Sequence, residues 1–214
     1  MNHGFSLGEV IDGSQWPDVL EGMLLVRHPQ VDSGVQGLCY GRSDVPLSLE
    51  GVGQSQLLAD RLARLPVRRI FHSGLQRTRV LAQRLGELTG IEPRPSEALV
   101  ERDFGDWELQ SWEEIYRREG EGMLRMISEP ETYRPGGGET TWELADRVWN
   151  GLQGKRAGCR QGGGLTVAVT HGGPIAAYRG RLGGLPVADW PSLIPACGTP
   201  VWIEVEKPLA GSAV

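Results

Sequence analysis

Two short apolar runs, each ending on a histidine, constrain this chain more than any other feature. Leu24-Leu25-Val26 leads into Arg27-His28, and Leu165-Thr166-Val167-Ala168-Val169-Thr170 leads into His171. Short apolar runs bounded by polar residues fit the buried strands of a parallel sheet. In such sheets ligands bind just beyond the carboxyl ends of the strands. Arg27, His28 and His171 are therefore expected at one crevice. A guanidinium fork clamps phosphate oxygens, and an imidazole nitrogen can attack phosphorus. A lone histidine at a strand end is more often structural or simply polar. Two of them, each at a carboxyl end, make the functional reading the stronger one.

The rest of the chain alternates strand and helix patterns. Ser48 opens a helix in which Leu49, Val52, Leu57, Leu58, Leu62 and Leu65 recur near helical spacing, and Pro66 closes it. Arg69 to His72 reads as a second strand. Ser73 with Gln76 has the capping-box spacing, and the following helix is expected to turn Leu75, Val80, Leu81, Leu85 and Leu88 inward before Gly90. Glu92 to Pro95 is a turn or short edge strand. Thr140 and Glu143 make a second capping box, opening a helix through Trp149 and Leu152. Pro174, after Gly172-Gly173, suits the first helical position of a helix running to about Leu182. Pro200 to Val205 is a final strand. Successive strand–helix units predict an α/β fold with a mostly parallel sheet. One domain is expected over residues 1–214, with residues 1–21 a loosely structured arm. Residues 102–138, rich in aromatics and charge, are expected to form a lid-like insertion of short helices and loops.

Composition removes several function classes. The net charge of −5 argues against a broad nucleic-acid surface, although a local arginine cluster could still hold one anionic small molecule. Cys39, Cys159 and Cys197 are odd in number and lack a C-x-x-C spacing. That fits reduced thiols in a cytoplasmic protein rather than a disulfide frame or a zinc site. No run approaches the ~20 apolar residues of a membrane span, and residues 1–21 lack the pattern of a signal peptide. No carboxylate cluster has convincing metal spacing. The sequence leaves oligomeric state open.

Two further stretches carry candidate chemistry. Ser73-Gly74-Leu75-Gln76-Arg77-Thr78 places a helix N-terminus, a natural anion site, beside an arginine one turn on. The bland alternative is a solvated helix arginine. Glu101-Arg102-Asp103-Phe104-Gly105-Asp106-Trp107-Glu108 sets carboxylates beside aromatic rings, which is either an acid–base group or a charged lid surface.

Taken with Pro135 to Thr140 and Thr170-His171-Gly172-Gly173, these motifs, in this order, resemble the histidine phosphatase superfamily, the phosphoglycerate-mutase-like clan. The resemblance runs from about Met23 to Glu204. Within the clan, Cys39-Tyr40-Gly41-Arg42-Ser43-Asp44-Val45-Pro46-Leu47 is most similar to the α-ribazole phosphatases of cobalamin synthesis. Pro29 departs from the clan's usual glycine after Arg-His, and no asparagine follows within residues 30 to 36. The Arg-His-Pro variant is similar to some α-ribazole phosphatases and weakens a mutase reading.

The resemblance implies a three-layer α/β/α sandwich with an insertion over the active site, and a phosphomonoesterase that needs neither metal nor cofactor. It implies that His28 becomes phosphohistidine and that Arg27, Arg77 and His171 hold the phosphoryl oxygens. Glu101 serves as acid and then base. Arg42, Ser73 and Gly172 join the substrate-binding set. The expected substrate is a small phosphomonoester, foremost α-ribazole 5′-phosphate. The alternatives are a phosphoglycerate mutase, a broad-specificity or sugar phosphatase, and a binding module that has lost catalysis. The lid aromatics would either stack on a flat base or form the lid's own core.

Overall fold

In a computed structural model of the protein, residues 9–10, 22–162 and 164–204 are described, with the side chains of 9–10 and 157–162 left out. The central sheet has six strands in the order β1-β6-β2-β5-β3-β4. These are β1 (Glu9–Val10), β2 (Gly22–Arg27), β3 (Val67–His72), β4 (Arg94–Pro95), β5 (Leu165–Thr170) and β6 (Pro200–Glu204). β2, β5, β3 and β4 run parallel, whereas β6 is antiparallel to β2 and β1 is antiparallel to β6. The sequence expectation for residues 1–21 needs amendment at Glu9 and Val10, which pair with Trp202 and Val201 as an edge strand. The rest of that stretch, and the side chain of Cys159, lie outside the described part of the structure.

Alternation along β2 explains the layers. Met23 and Leu25 face one side, and Leu24 and Val26 the other, all fully buried. On the first side pack α5 (Thr141–Gly162) and α6 (Gly172–Leu182), through Leu144, Val148 and Leu152 and through Ile175 and Tyr178. On the second pack α1 (Leu49–Leu62) and α2 (Gln76–Thr89), through Ala59, Leu62, Leu81 and Leu85. The result is a three-layer α/β/α sandwich, as expected.

Two helix readings are corrected. In α1 the buried stripe is Gly51, Ser55, Ala59 and Leu62, while Leu49 and Leu57 are 94% and 66% exposed. The helix lies so close to its neighbours that a Cβ at Gly51 would collide with the Gln30 carbonyl. Small side chains therefore share the contact with Leu62, Leu58 and Leu65, which pack inward as expected. In α2 the Ser73–Gln76 capping box does not form. The N-cap is Leu75, and the Gln76 N–H donates instead to Asp44 Oδ1 at 2.7 Å. Leu88 is also turned outward, at 40% exposure. Gly90, at φ 71°, ends the helix in the left-handed conformation. Pro174 sits third in α6 and not first, still within the turn whose N–H groups have no helical partner.

The stretch between β4 and α5 holds α3 (Trp112–Glu119), capped by the reciprocal Ser111–Glu114 box, and the short α4 (Arg125–Ser128). Cys39, Trp107 and Ile115 form a small separate core here, against which Phe104, Trp112, Met123, Met126 and Tyr133 pack. The Thr140–Glu143 box is present in both directions at the start of α5.

Candidate active site

Register builds the site. β2 and β5 are adjacent and parallel, with Arg27 opposite Thr170. The next residue on each strand is a histidine, so His28 and His171 emerge side by side at the carboxyl edge. Their ring centroids are 5.2 Å apart. The His28 N–H donates to the Thr170 carbonyl at 2.9 Å, carrying the ladder one residue past the strands.

His28 is 1% exposed, and its Nδ1 lies 2.8 Å from the Pro29 carbonyl oxygen. A carbonyl only accepts, so Nδ1 carries the proton and Nε2 keeps its lone pair. Burial, aided by the Arg77 guanidinium, lowers the His28 pKa to about 3. The ring is neutral at physiological pH, the state a nucleophile needs.

His171 is fully buried and is also held well below its ordinary value, by burial and then by Arg77. Its Nδ1 accepts from Arg77 Nε at 3.2 Å, so Nε2–H donates to Ser73 Oγ at 2.9 Å. Both ring nitrogens are thus engaged within the protein. Ser73 is 5% exposed and bonds onward to Thr78 Oγ1 at 2.9 Å, which places it behind His171 as a support. The hydroxyl expected on the substrate side is thus bonded within the protein.

Arg77 is fully buried in α2 and not a solvated helix arginine. Its remaining donors reach the Ser43 and Gly41 carbonyls at 2.7 and 2.6 Å. Arg27 donates through Nη1 to the Pro195 carbonyl at 2.6 Å, and its Nε is buried with no partner among the described residues. A buried guanidinium N–H without an acceptor is costly, and an anion beside it would supply one.

Glu101 is held from two directions. Oε1 accepts from the Arg102 N–H at 2.9 Å, and Oε2 accepts from the Gly173 N–H in the first turn of α6 at 3.2 Å. A Cβ at Gly173 would collide with Glu101 Oε1, so the second glycine of the Gly172-Gly173 pair is a space requirement. Gly172 has a similar role. A Cβ there would meet Ile194 at 2.9 Å and the Arg27 guanidinium carbon at 3.5 Å.

Arg27, Glu101, Gly172 and Gly173 border a cavity of about 440 Å³, together with Tyr40 and Arg102. Arg42 does not border it. Neither do His28, Arg77 and His171; the Arg42 guanidinium lies 3.9 Å from Asp103 and 3.8 Å from Glu139. Two residues went unassigned in the sequence reading. Arg102, 8% exposed, borders the cavity and donates to Thr141 Oγ1 at 2.7 Å. Glu108 receives the Arg42 and Ser43 N–H groups at 2.9 and 2.8 Å and the Ser43 hydroxyl at 2.6 Å. It fixes the loop whose carbonyls hold Arg77. Adjacency to Glu101 was the available signal for Arg102. Glu108 offered none for this role, because the loop it holds lies more than 60 residues away in sequence.

A neutral imidazole whose Nε2 has no partner among the described residues, two guanidinium groups and a carboxylate at the carboxyl edge of a mostly parallel sheet have the chemistry that phosphoryl transfer uses. The family model of the histidine phosphatase superfamily (branch 1) matches residues 23–207, and the chain belongs to that superfamily. Among curated relatives, a glucosyl-3-phosphoglycerate phosphatase of Mycobacterium tuberculosis is 33% identical over 177 residues, covering 80% of this chain and 79% of its own length. An adenosylcobalamin/alpha-ribazole phosphatase of Salmonella typhimurium is 29% identical over 124 residues, covering 58% of this chain and 61% of its own. A solved mycobacterial glucosyl-3-phosphoglycerate phosphatase superposes with a TM-score of 0.70 at 32% identity, covering 80% and 83% of the two chains. The alpha-ribazole phosphatase of Shigella flexneri, at 23% identity and a TM-score of 0.70, shares the fold. Among the described residues no helix is long and apolar enough to cross a membrane, and no group of three metal-ligating side chains is found.

Proposed function

We propose that this phosphatase hydrolyses small phosphomonoesters through a phosphohistidine at His28. The observation that carries the proposal is the bond from His28 Nδ1 to the Pro29 carbonyl, which leaves a neutral Nε2 lone pair in a ring with a pKa of about 3. Nε2 attacks phosphorus as the P–O bond to the leaving group breaks. Glu101, as the acid, gives its proton to the departing alkoxide, and its carboxylate then takes a proton from the water that attacks the phosphohistidine. Cleavage of the P–N bond releases phosphate and restores His28. Arg27 and Arg77 meet the charge on the non-bridging oxygens. His171 acts first through Arg77, whose Nε it holds. Direct contact between His171 and phosphate requires that its bond to Ser73 be exchanged.

For the substrate, α-ribazole 5′-phosphate is the leading reading, supported by the Cys39 to Leu47 stretch and by the Salmonella relative. The glucosyl-3-phosphoglycerate phosphatase relative, at higher identity, supports glucosyl-3-phosphoglycerate as the second. Transfer of the phosphoryl group to another hydroxyl, as in a mutase, would give isomers without free phosphate. The test is a panel of α-ribazole 5′-phosphate, glucosyl-3-phosphoglycerate, 3-phosphoglycerate and p-nitrophenyl phosphate, read by phosphate release and by acid-labile, base-stable label on the protein. Label on wild type but not on His28→Ala is expected. Phosphate release without label on His28 would overturn the mechanism.

A further inference from the structure

The wall of the cavity beyond Glu101 is the feature that the chemistry at His28 does not use. Leu38, Phe104, Trp112, Ile127, Val187 and Ile194 supply much of it. Two of its polar members are spent on the protein itself. Thr141 Oγ1 donates to the Met126 carbonyl at 2.6 Å and accepts from Arg102, and Trp190 Nε1 donates to the Leu185 carbonyl at 3.0 Å. Arg27 and Glu101 belong to the phosphoryl end. A volume of about 440 Å³ falls within the range of small-molecule pockets, which are mainly apolar with a few placed polar groups.

We infer that this cavity seats the leaving group of the ester and selects an apolar, ring-bearing alcohol over a polyhydroxylated or carboxylated one. The inference rests on the phosphomonoesterase reading for the position of the phosphate, and on the cavity alone for the preference. A flat ring placed against Phe104 and Trp112 would remove apolar surface from water on both sides. A sugar would give up several hydrogen bonds to water and find few groups free to replace them. Ala176, on α6 and 4% exposed, borders the same space, so a larger side chain there would shorten it.

Binding and turnover separate the inference from the reading on which it rests. Calorimetry on the His28→Ala protein would compare 2-naphthyl phosphate, glucose 6-phosphate, 3-phosphoglycerate and inorganic phosphate. Naphthyl phosphate is expected to bind at least tenfold more tightly than each of the others. Ala176→Phe in the same background should narrow that ratio. Equal or tighter binding of the sugar phosphate or phosphoglycerate overturns the inference, as does naphthyl phosphate binding no better than phosphate. If the Phe variant does not fold, the four ligands decide alone. In wild type, the naphthyl preference without any phosphohistidine would leave the inference standing and remove the catalytic reading. Phosphohistidine formed preferentially from sugar phosphates would do the reverse.

Discussion

His28 Nδ1 lies 2.8 Å from the carbonyl oxygen of Pro29, the residue that follows it in the chain. The imidazole proposed as the nucleophile is thus oriented by its own neighbour. Proline has no N–H to offer a phosphate, but its carbonyl is free to fix the imidazole tautomer.

That relationship, with the burial of both histidines, sets a pH dependence. A buried histidine that stays neutral in the folded protein gains its proton on unfolding. Between the ordinary value of 6.5 and about 3, the unfolded chain therefore binds more protons at His28 than the folded one. Stability from this site is full above pH 6.5 and falls as pH drops through that window, at about 1.4 kcal/mol per pH unit. Denaturant midpoints between pH 7 and 4 should decline less steeply in His28→Gln than in wild type. The rate of phosphoenzyme formation should show no inflection near 6.5 assignable to His28, and one that vanished in no other histidine variant would contradict the buried, neutral ring.

Arg77 joins three partners through one fork: His171 Nδ1, the Ser43 carbonyl and the Gly41 carbonyl. Lysine keeps the charge but cannot reach all three. Arg77→Lys should lower kcat/KM by about 10²- to 10³-fold, as expected when a preorganised charge donor is lost. It should also destabilise the fold by about 1–3 kcal/mol, because buried acceptors lose their donors. Steady-state kinetics and urea denaturation read the two effects separately.

Glu108 binds the loop that carries those carbonyls. Glu108→Ala orphans the N–H groups of Arg42 and Ser43 and removes the acceptor of the Ser43 hydroxyl. A loss of about 1–3 kcal/mol is expected, with a fall in kcat/KM that tracks the loosened hold on Arg77. Full activity and full stability in this variant would mean that the loop is fixed by other contacts.

In the proposed mechanism the positive charge around the phosphoryl group comes from Arg27 and Arg77. Turnover should therefore survive treatment with EDTA, and added magnesium should not raise it. Loss on chelation and recovery on magnesium would reassign the charge-stabilising role.

Much of the sheet was legible because buried strands carry their own signal. β2 and β5 are continuous apolar runs, and the residue after each is a histidine. The helices were harder. α1 packs through Gly51, Ser55 and Ala59 as well as Leu62, and no hydrophobic pattern marks the glycine and serine, while the exposed Leu49 and Leu57 imitate a core stripe. The start of α2 has the spacing of a capping box, but Ser73 is taken by His171 and the helix receives Asp44 from 32 residues upstream. The same tertiary competition hides Arg102 and Glu108 and sets Arg42 beside Asp103 and Glu139. Local sequence shows which bonds a residue can make, and the fold decides which partner arrives first.

Glu101 gives the sharpest test of the proposed chemistry. It is held by the Arg102 and Gly173 N–H groups at the edge of the cavity, where a departing oxygen would stand. An alkoxide is a poor leaving group and depends on receiving a proton as the P–O bond breaks. p-Nitrophenolate is far less basic and needs little help. General acid catalysis is typically worth about 10²- to 10⁴-fold. Glu101→Gln should therefore slow phosphorylation of His28 strongly with an alkyl phosphate and mildly with p-nitrophenyl phosphate. Arg77→Lys should slow both, because it acts on the phosphoryl group itself. Gly173→Ala should resemble Glu101→Gln, since the added Cβ takes the space of the carboxylate and leaves the guanidinium groups in place. Rapid-quench measurement of the phosphoenzyme is required, because Glu101 also activates water in the second step and steady-state rates mix the two. Equal losses for both leaving groups in Glu101→Gln would exclude Glu101 as the acid and direct the search to Asp103, Asp106 and Glu108.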